Sequence, residues 1–326
     1  MAESTQQADP NQDELLWRKI IAIANRFNVT YWTIKSMSFV AQMLPLRVSY
    51  GISIGLAYVI YACWPALRES VKENMRQVLG EGADEAIVGR MVRSNYRNYF
   101  KYLVDFLRFP YLTKAELERV IHATGWENLD RALESGKGVI FVGFHFGNWD
   151  LAGAMLALRG YPLNVVAESF EPAKLNDLIQ RYRVEKGMKI IPLEIAARKV
   201  LRALRQNEIL GLLIDRPEPE SGVSVEFFNR VASVPAGAAT LAAKTGAKLV
   251  LGYLVRLPDN TFSGLISPHL DVEITGDLAK DVQLITQKIM DLVEECIRQH
   301  PDQWYMFRNM WSDAQSIERA AALPSG

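Results

Sequence analysis

The chain has 326 residues, 49% of them hydrophobic, with 37 basic and 37 acidic side chains. That length holds one large α/β domain with an appendage or two modest domains, and the apolar content supplies a sizeable core. The even charge balance gives no global attraction to nucleic acid. Cys63 and Cys296, and the histidines His122, His145, His269 and His300, are too scattered for a disulfide framework or a multi-histidine metal site.

The opening MAESTQQADPNQDE is polar and acidic and lacks the basic start and short apolar core of a secretory signal. Residues 1–15 are therefore expected to be a disordered tail. Between Arg47 and Arg68 run twenty uncharged residues, VSYGISIGLAYVIYACWPAL. As a helix they span about 30 Å at ~1.5 Å per residue, enough for a bilayer core. Basic residues stand on both sides (Arg26, Lys35 and Arg47; Arg68, Lys72 and Arg76), so flanking charge sets no orientation. Ser49, Gly51, Ser53 and Gly55 dilute the segment. A membrane-embedded or in-plane helix, a single span and a buried soluble helix all fit, and the first two place the chain at a membrane. Residues 85–108 bring Arg90, Arg93, Arg97 and Lys101 onto one helical stripe, either a solvated face or a contact for lipid phosphates or an acidic partner. Residues 16–115 thus form an N-terminal helical, membrane-associating region.

From about residue 120 the rhythm changes, and 116–326 read as an α/β domain. Strands are expected at Gly138–Phe144, Leu163–Ala167, Lys189–Pro192, Ile209–Ile214, Lys248–Val255 and Phe262–Ser267. Helices are expected at Trp149–Leu158, Pro172–Lys186, Ile195–Gln206, Pro235–Thr245 and Leu278–His300. Alternation of this kind gives an α/β fold with a mixed central sheet flanked by helices. Ligands of such sheets sit beyond the carboxyl ends of the strands, which singles out His145, Glu168, Asp215 and Arg256.

His145 ends an apolar strand, and Asp150 follows five residues later in GVIFVGFHFGNWDLAG. On one regular helix these side chains would diverge by about 140°. They can meet if His145 is on a loop and Asp150 is in the first turn of the next helix, with Gly147 allowing the turn and Asn148 as N-cap. A carboxylate bonded to one imidazole nitrogen fixes the tautomer and leaves the other nitrogen as a base. The only G-x-S-x-G, Gly51 to Gly55, lies in the apolar N-terminal segment rather than on a strand-to-helix turn, and neither cysteine is well placed as a nucleophile. The pair is therefore expected to activate a hydroxyl of the substrate. The plainer reading is a strand-end histidine satisfied by a neighbouring cap.

HFGNWD after an apolar strand resembles the lysophospholipid acyltransferase superfamily, and more closely its bacterial branch of lipid A late acyltransferases and phosphatidylinositol mannoside acyltransferases. The resemblance covers roughly residues 40 to 312. It runs through RESVKENMRQVLG, TGWENLDRALESGKGVIFVGFHFGNWDLAG, RYRVEKGMKIIP, LLIDRPEPESGVSVEFFNRVASVPAGAATLAAKTGAKLV and HPDQWYMFRNMW. It implies a glycerolipid acyltransferase-like fold and transfer of a fatty acyl chain from a thioester, acyl-CoA or acyl-ACP, to a hydroxyl of a glycolipid or phospholipid. No resident cofactor or metal is implied, and the partners are a membrane lipid acceptor, the acyl donor (an acyl carrier protein among them) and the membrane surface. The implied location is the cytoplasmic (inner) membrane, with the catalytic domain on the cytosolic face.

On that resemblance His145 is the general base and Asp150 orients it. Asn148, Glu168, Arg183, Asp215, Arg216 and Glu226 are candidates for substrate binding. Where the branch commonly reads D-x-D, this chain has Asp215, Arg216 and Pro217, followed by Glu218. Backbone N–H groups over Gly147–Trp149, or Arg183, would hold the oxyanion, and Phe144, Phe146, Trp149, Phe227 and Phe228 would wall an acyl slot. The F-P-E-G block of glycerol-phosphate enzymes is absent. An esterase or thioesterase that uses the same pair on water, and a glycolipid-binding protein without catalysis, are the alternatives.

Overall fold

The structure, a computed structural model, describes residues 28–311; the tail expected over 1–15 lies outside them. The described part opens with α1 (Val29–Met43), α2 (Leu46–Cys63), α3 (Pro65–Leu79) and α4 (Glu85–Arg108). The uncharged run is not a single helix. A residue before proline is driven out of the α region, and Trp64, at φ −121° and ψ 77°, ends α2 so that Pro65 can start α3. Ala57, Val71, Met75, Val88, Val92 and Tyr96 make a small core joining α2, α3 and α4.

The chain then alternates. After α5 (Lys114–Val120), β1 (Ile121–Thr124) and α6 (Trp126–Leu133) come β2 (Val139–Gly143), α7 (Trp149–Leu158), β3 (Leu163–Ala167) and α8 (Ala173–Val184). Next are β4 (Lys189–Pro192), α9 (Ala196–Arg205) and β5 (Ile209–Leu213), then a hairpin of β6 (Val223–Phe227) and β7 (Arg230–Val234). The remainder is α10 (Gly237–Thr245), β8 (Lys248–Arg256), β9 (Phe262–His269) and α11 (Leu278–Gln299). A seven-stranded sheet runs in the order β1-β9-β8-β2-β5-β3-β4. The strands β8, β2, β5, β3 and β4 are parallel, whereas β9 pairs antiparallel with β8 and carries β1 parallel to itself. The sheet is therefore mixed and flanked by helices, as expected.

Each face of the sheet has its own core. Along β2, Ile140 and Val142 enter one cluster while Val139 and Phe141 enter the other. This period-2 division explains why a strand buried on both sides reads as a continuous apolar run. Three strands escaped the sequence reading. β1 has four residues on the sheet edge. The β6–β7 hairpin turns at Phe228 and Asn229, both at positive φ (52° and 58°), where asparagine and glycine are the usual signal. Burial of Phe228, a hydrogen bond from its amide to the Glu294 carboxylate and one from Gln77 to its carbonyl (2.6 Å) hold the bulky residue there.

The N-terminal helices are tied to the α/β part through the chain segment after α11. Buried Asn74 on α3 donates to the carbonyls of Met306 (2.9 Å) and Arg308 (2.7 Å) and accepts from the Met310 amide (3.0 Å). Asn95 on α4 donates to the Trp304 carbonyl at 2.7 Å. Stranding buried backbone groups is costly, so Asn74→Ala is expected to destabilise the protein by about 3 kcal/mol. Chemical denaturation monitored by circular dichroism checks this; a change below about 1 kcal/mol would mean that water replaces the lost bonds.

Candidate active site

The parallel sheet builds the site by register. The last registered pair of β2 and β5 is Gly143 with Leu213, and the Ile214 amide still bonds the Gly143 carbonyl at 3.2 Å. Two residues past that pair stand His145 and Asp215, side by side at the carboxyl edge. Nδ1 of His145 lies 2.7 Å from Oδ1 of Asp215, while Oδ2 of Asp215 accepts from the His145 amide (3.0 Å) and from the Trp304 indole (2.9 Å).

Asp215 has no exposed surface. Burial alone would raise its pKa, but the neighbouring imidazole, its hydrogen bond, the Trp304 N–H and the His145 amide outweigh that and hold the carboxyl below its ordinary range. An ionised carboxylate only accepts, so Nδ1 of His145 carries a proton toward it, which in the neutral tautomer puts the lone pair on Nε2. The His145 side chain keeps 15% of its surface, and no hydrogen bond to its Nε2 is found among the described residues. The plainer reading of His145, as a strand-end histidine satisfied by a neighbouring cap, does not describe this geometry, since the ring's partner is Asp215 beyond β5.

The expected contact between His145 and Asp150 is corrected here. Asp150 lies in the first turn of α7, as expected, with Asn148 as N-cap accepting from the Leu151 amide at 3.1 Å. Both of its carboxylate oxygens are taken elsewhere: Oδ1 by Arg183 Nε at 2.7 Å and Oδ2 by the Tyr102 hydroxyl at 2.8 Å. The physical reason is strand order. β5 is the direct neighbour of β2, so its carboxylate reaches the imidazole first, and Asp150 is left to position Arg183. Trp149 links the two groups, its ring 4.2 Å from that of Tyr102 and 5.3 Å from His145.

The turn after His145 is fixed amide by amide. Gly147 sits at φ +56°, and a Cβ there would collide with the Leu254 carbonyl. Its amide bonds the Gln303 carbonyl (2.9 Å), and the Asn148 amide bonds the Leu254 carbonyl (3.3 Å). Of the expected oxyanion donors, those two amides are thus committed. The Trp149 amide is the first of α7, ahead of the intrahelical bonding pattern, and Arg183 has Nε on Asp150 and Nη1 on Gln180.

The other expected residues divide into groups. Glu168 and Arg216 form an exposed ion pair across the ends of β3 and β5, beside Asp215. Glu226 stands on the exposed side of the hairpin, bonded through its backbone to Gln287, and no hydrogen bond or ion pair joins it to His145 or Asp215 among the described residues. Of the aromatics expected to wall an acyl slot, Phe144, Phe146, Phe227 and Phe228 are packed in the core, the last two against Trp304 and Trp311. Trp149 alone among the five keeps exposed surface. Among the described residues no group of three or more His, Cys, Asp or Glu side chains could hold a metal. Tyr102, Asp105 and Trp304 were not anticipated. The signal for Trp304 was its place in HPDQWYMFRNMW; that for Asp105 was a carboxylate one turn past Lys101, continuing the line of the basic stripe. Of that stripe, Arg90, Arg93 and Arg97 are exposed, whereas Lys101 is half-buried and bonds Asn260 at 2.8 Å.

The sequence profile of the family described as bacterial lipid A biosynthesis acyltransferase matches residues 22–313. The chain belongs to that family. A phosphatidylinositol mannoside acyltransferase of Mycobacterium tuberculosis (strain CDC 1551 / Oshkosh) is 30% identical over 263 residues, 79% of this chain and 81% of the relative. One from Mycolicibacterium smegmatis is 29% identical over 259 residues, 78% and 83% of the respective chains. The chain is therefore an O-acyltransferase of lipid biosynthesis, acting between an acyl donor and a lipid acceptor.

The electrostatics of Asp215 set an acid limit. Its folded pKa lies below the unfolded value, so its stabilisation is fully present above the ordinary aspartate range, about pH 4, and is lost as the pH falls through the lower folded value. The melting temperature of Asp215→Asn is accordingly expected to fall less than that of the wild type on acidification below about pH 4. Parallel melting curves across pH 2–6 check this, and identical acid limbs would remove Asp215 as their source.

Proposed function

We propose that the protein transfers a fatty acyl chain from an acyl thioester, acyl-CoA or acyl-ACP, to a sugar hydroxyl of a glycolipid, with His145 as general base and Asp215 as the carboxylate that orients it. One observation carries the reading: Nδ1 of a partly exposed histidine is bonded to a buried carboxylate, while Nε2 has no hydrogen-bond partner among the described residues. The acceptor O–H gives its proton to Nε2 as its oxygen bonds the thioester carbonyl carbon. The resulting oxyanion collapses, the C–S bond breaks, and the imidazolium returns the proton to the departing thiolate. Asp215 stabilises the imidazolium without itself taking the proton. Asp150, held by Tyr102, fixes Arg183 against the first turn of α7, where the guanidinium and the Trp149 amide are the donors for the oxyanion or a substrate phosphate. The exposed pair Glu168–Arg216 borders the same edge and is assigned to the acceptor head group. The similarity to phosphatidylinositol mannoside acyltransferases favours a mannosylated lipid over lipid A as acceptor. The thioester donor is a co-substrate, and no resident cofactor is needed.

The surface of the N-terminal helices supports work at a membrane. α2 is 18 residues long with mean hydropathy 1.4, and only 22% of it is buried. Its buried residues are Ser49, Tyr50, Ser53 and Ala57, whereas Leu46, Val48, Ile52, Leu56 and Val59 are exposed. A helix in water normally turns its large apolar residues inward. α1 continues the same surface with Trp32, Phe39, Val40 and Met43. Residues 16–115 are accordingly assigned to the membrane and 116–326 to transfer, at the cytosolic face of the inner membrane where acyl thioesters are available.

His145→Ala is expected to abolish acyl transfer, and Asp215→Asn to lower kcat by about 10²- to 10⁴-fold. Arg183→Lys is expected to lower kcat by about 10²-fold or more. The assay is mass spectrometry of lipids after incubation with acyl-CoA and mannosylated phosphatidylinositol. Free fatty acid without acylated glycolipid would mean that water is the acceptor, and full activity of His145→Ala would remove the base from the mechanism.

A further inference from the structure

The His145 turn is braced from below by a buried polar cluster that no step above uses. Asp105 of α4 is 6% exposed. Its Oδ1 accepts from the Tyr50 hydroxyl of α2 at 2.6 Å. Its Oδ2 accepts from Asn148 Nδ2 at 2.9 Å and is paired with the Arg256 guanidinium at the end of β8. Arg256 in turn donates from Nη1 to the Tyr50 hydroxyl at 3.0 Å. The Arg256 backbone makes two bonds of 2.8 Å to the Gln303 side chain, and the Gln303 carbonyl receives the Gly147 amide. The contacts close a loop: Asp105 to Asn148, Gly147 to Gln303, Gln303 to Arg256, and Arg256 back to Asp105. Tyr50, from the apolar helix, is bonded to two members of this loop, Asp105 and Arg256.

The composition of the cluster argues for geometry over bulk stability. A buried ion pair is often no better for stability than an apolar replacement of its shape. This one leaves the buried Nε of Arg256 without a partner. Its directional bonds, however, act on the two residues that set the turn from His145 into α7: Asn148 as N-cap, and Gly147 through Gln303. We propose that Asp105 is a positioning residue, which through Tyr50, Asn148 and Arg256 makes the seating of the apolar helix α2 and the geometry of the His145 turn one cooperative unit. The proposal rests on the acyltransferase reading for its consequence in activity, but the coupling itself is testable without catalysis. Under it, a group that touches no residue of the turn, the Tyr50 hydroxyl, governs the turn's order. The acyl-transfer site is then complete only when α2 is seated on α4.

Hydrogen exchange on the full-length protein in detergent micelles tests the coupling. In Tyr50→Phe and Asp105→Asn, amide exchange over residues 146–151 is expected to quicken by about tenfold or more, together with that of α2. In β3 and β4, away from the cluster, it stays within twofold of wild type. Exchange over 146–151 unchanged in Tyr50→Phe, or altered in α2 alone, would overturn the proposal. Tyr50→Phe keeps the ring in place, so it decides the matter even where Asp105→Asn fails to fold. In the transfer assay, well below the melting temperature of each variant, Asp105→Asn is expected to lose about 100-fold in kcat with KM for acyl-CoA within twofold. Unchanged kcat in a folded Asp105→Asn protein would reduce the cluster to a structural tie. A wild-type protein that transfers no acyl chain would refute the functional reading and leave the exchange result to judge the coupling.

Discussion

The site depends on a carboxylate kept ionised where no water reaches it. Asp215 pays the desolvation cost of a fully buried charge, and three N–H groups aimed at its two oxygens offset it: the His145 ring, the His145 amide and the Trp304 indole. Remove any of them and the charge becomes harder to hold. While the charge is held, Nδ1 of His145 keeps its proton toward Asp215 and Nε2 faces away from that carboxylate at the sheet edge. The sheet supplies this arrangement because β2 and β5 are adjacent and parallel, so their continuations emerge together. Trp304 arrives from the opposite end of the chain and closes the cluster from the far side.

The two acidic residues near the imidazole therefore have separate tasks. Asp215 faces His145, and Asp150 faces Arg183 and Tyr102. A base needs a partner that stabilises positive charge on the ring. A developing oxyanion needs positive charge fixed in advance. Had both carboxylates crowded the imidazole, the guanidinium would have lost its anchor and the like charges would have repelled each other. The division leaves the imidazole paired with one carboxylate and the guanidinium with the other.

Much of this architecture was legible in the primary structure. β3, β4 and α7 have the limits read from their apolar patterns, and the chain's alternation specified a mixed sheet with helices around it. His145, Asp215 and Arg183 were all recognised as candidates. What periodicity does not carry is strand order, and strand order decides which acid meets the histidine. Spacing along the chain favoured Asp150, five residues away; the sheet favoured Asp215, seventy residues away. The aromatic residues mislead for a related reason. Composition cannot separate a ring that lines a cleft from one that fills a core, and Phe144, Phe146, Phe227 and Phe228 fill the core. The β6–β7 hairpin was invisible because Phe228, beside Asn229, occupies a turn position that local preference reserves for asparagine or glycine.

The segment after α11 deserves a place in any account of how the protein matures. Gln303, Trp304 and Tyr305 supply the partners for the Gly147 amide, the Asp215 carboxylate and the His145 carbonyl, and Asn74 and Asn95 receive the same strip of backbone. A ribosome delivers these residues after every other part of the site. A nascent chain that has emerged only through α11 thus still lacks the partners that hold the His145 turn and the Asp215 carboxylate in place.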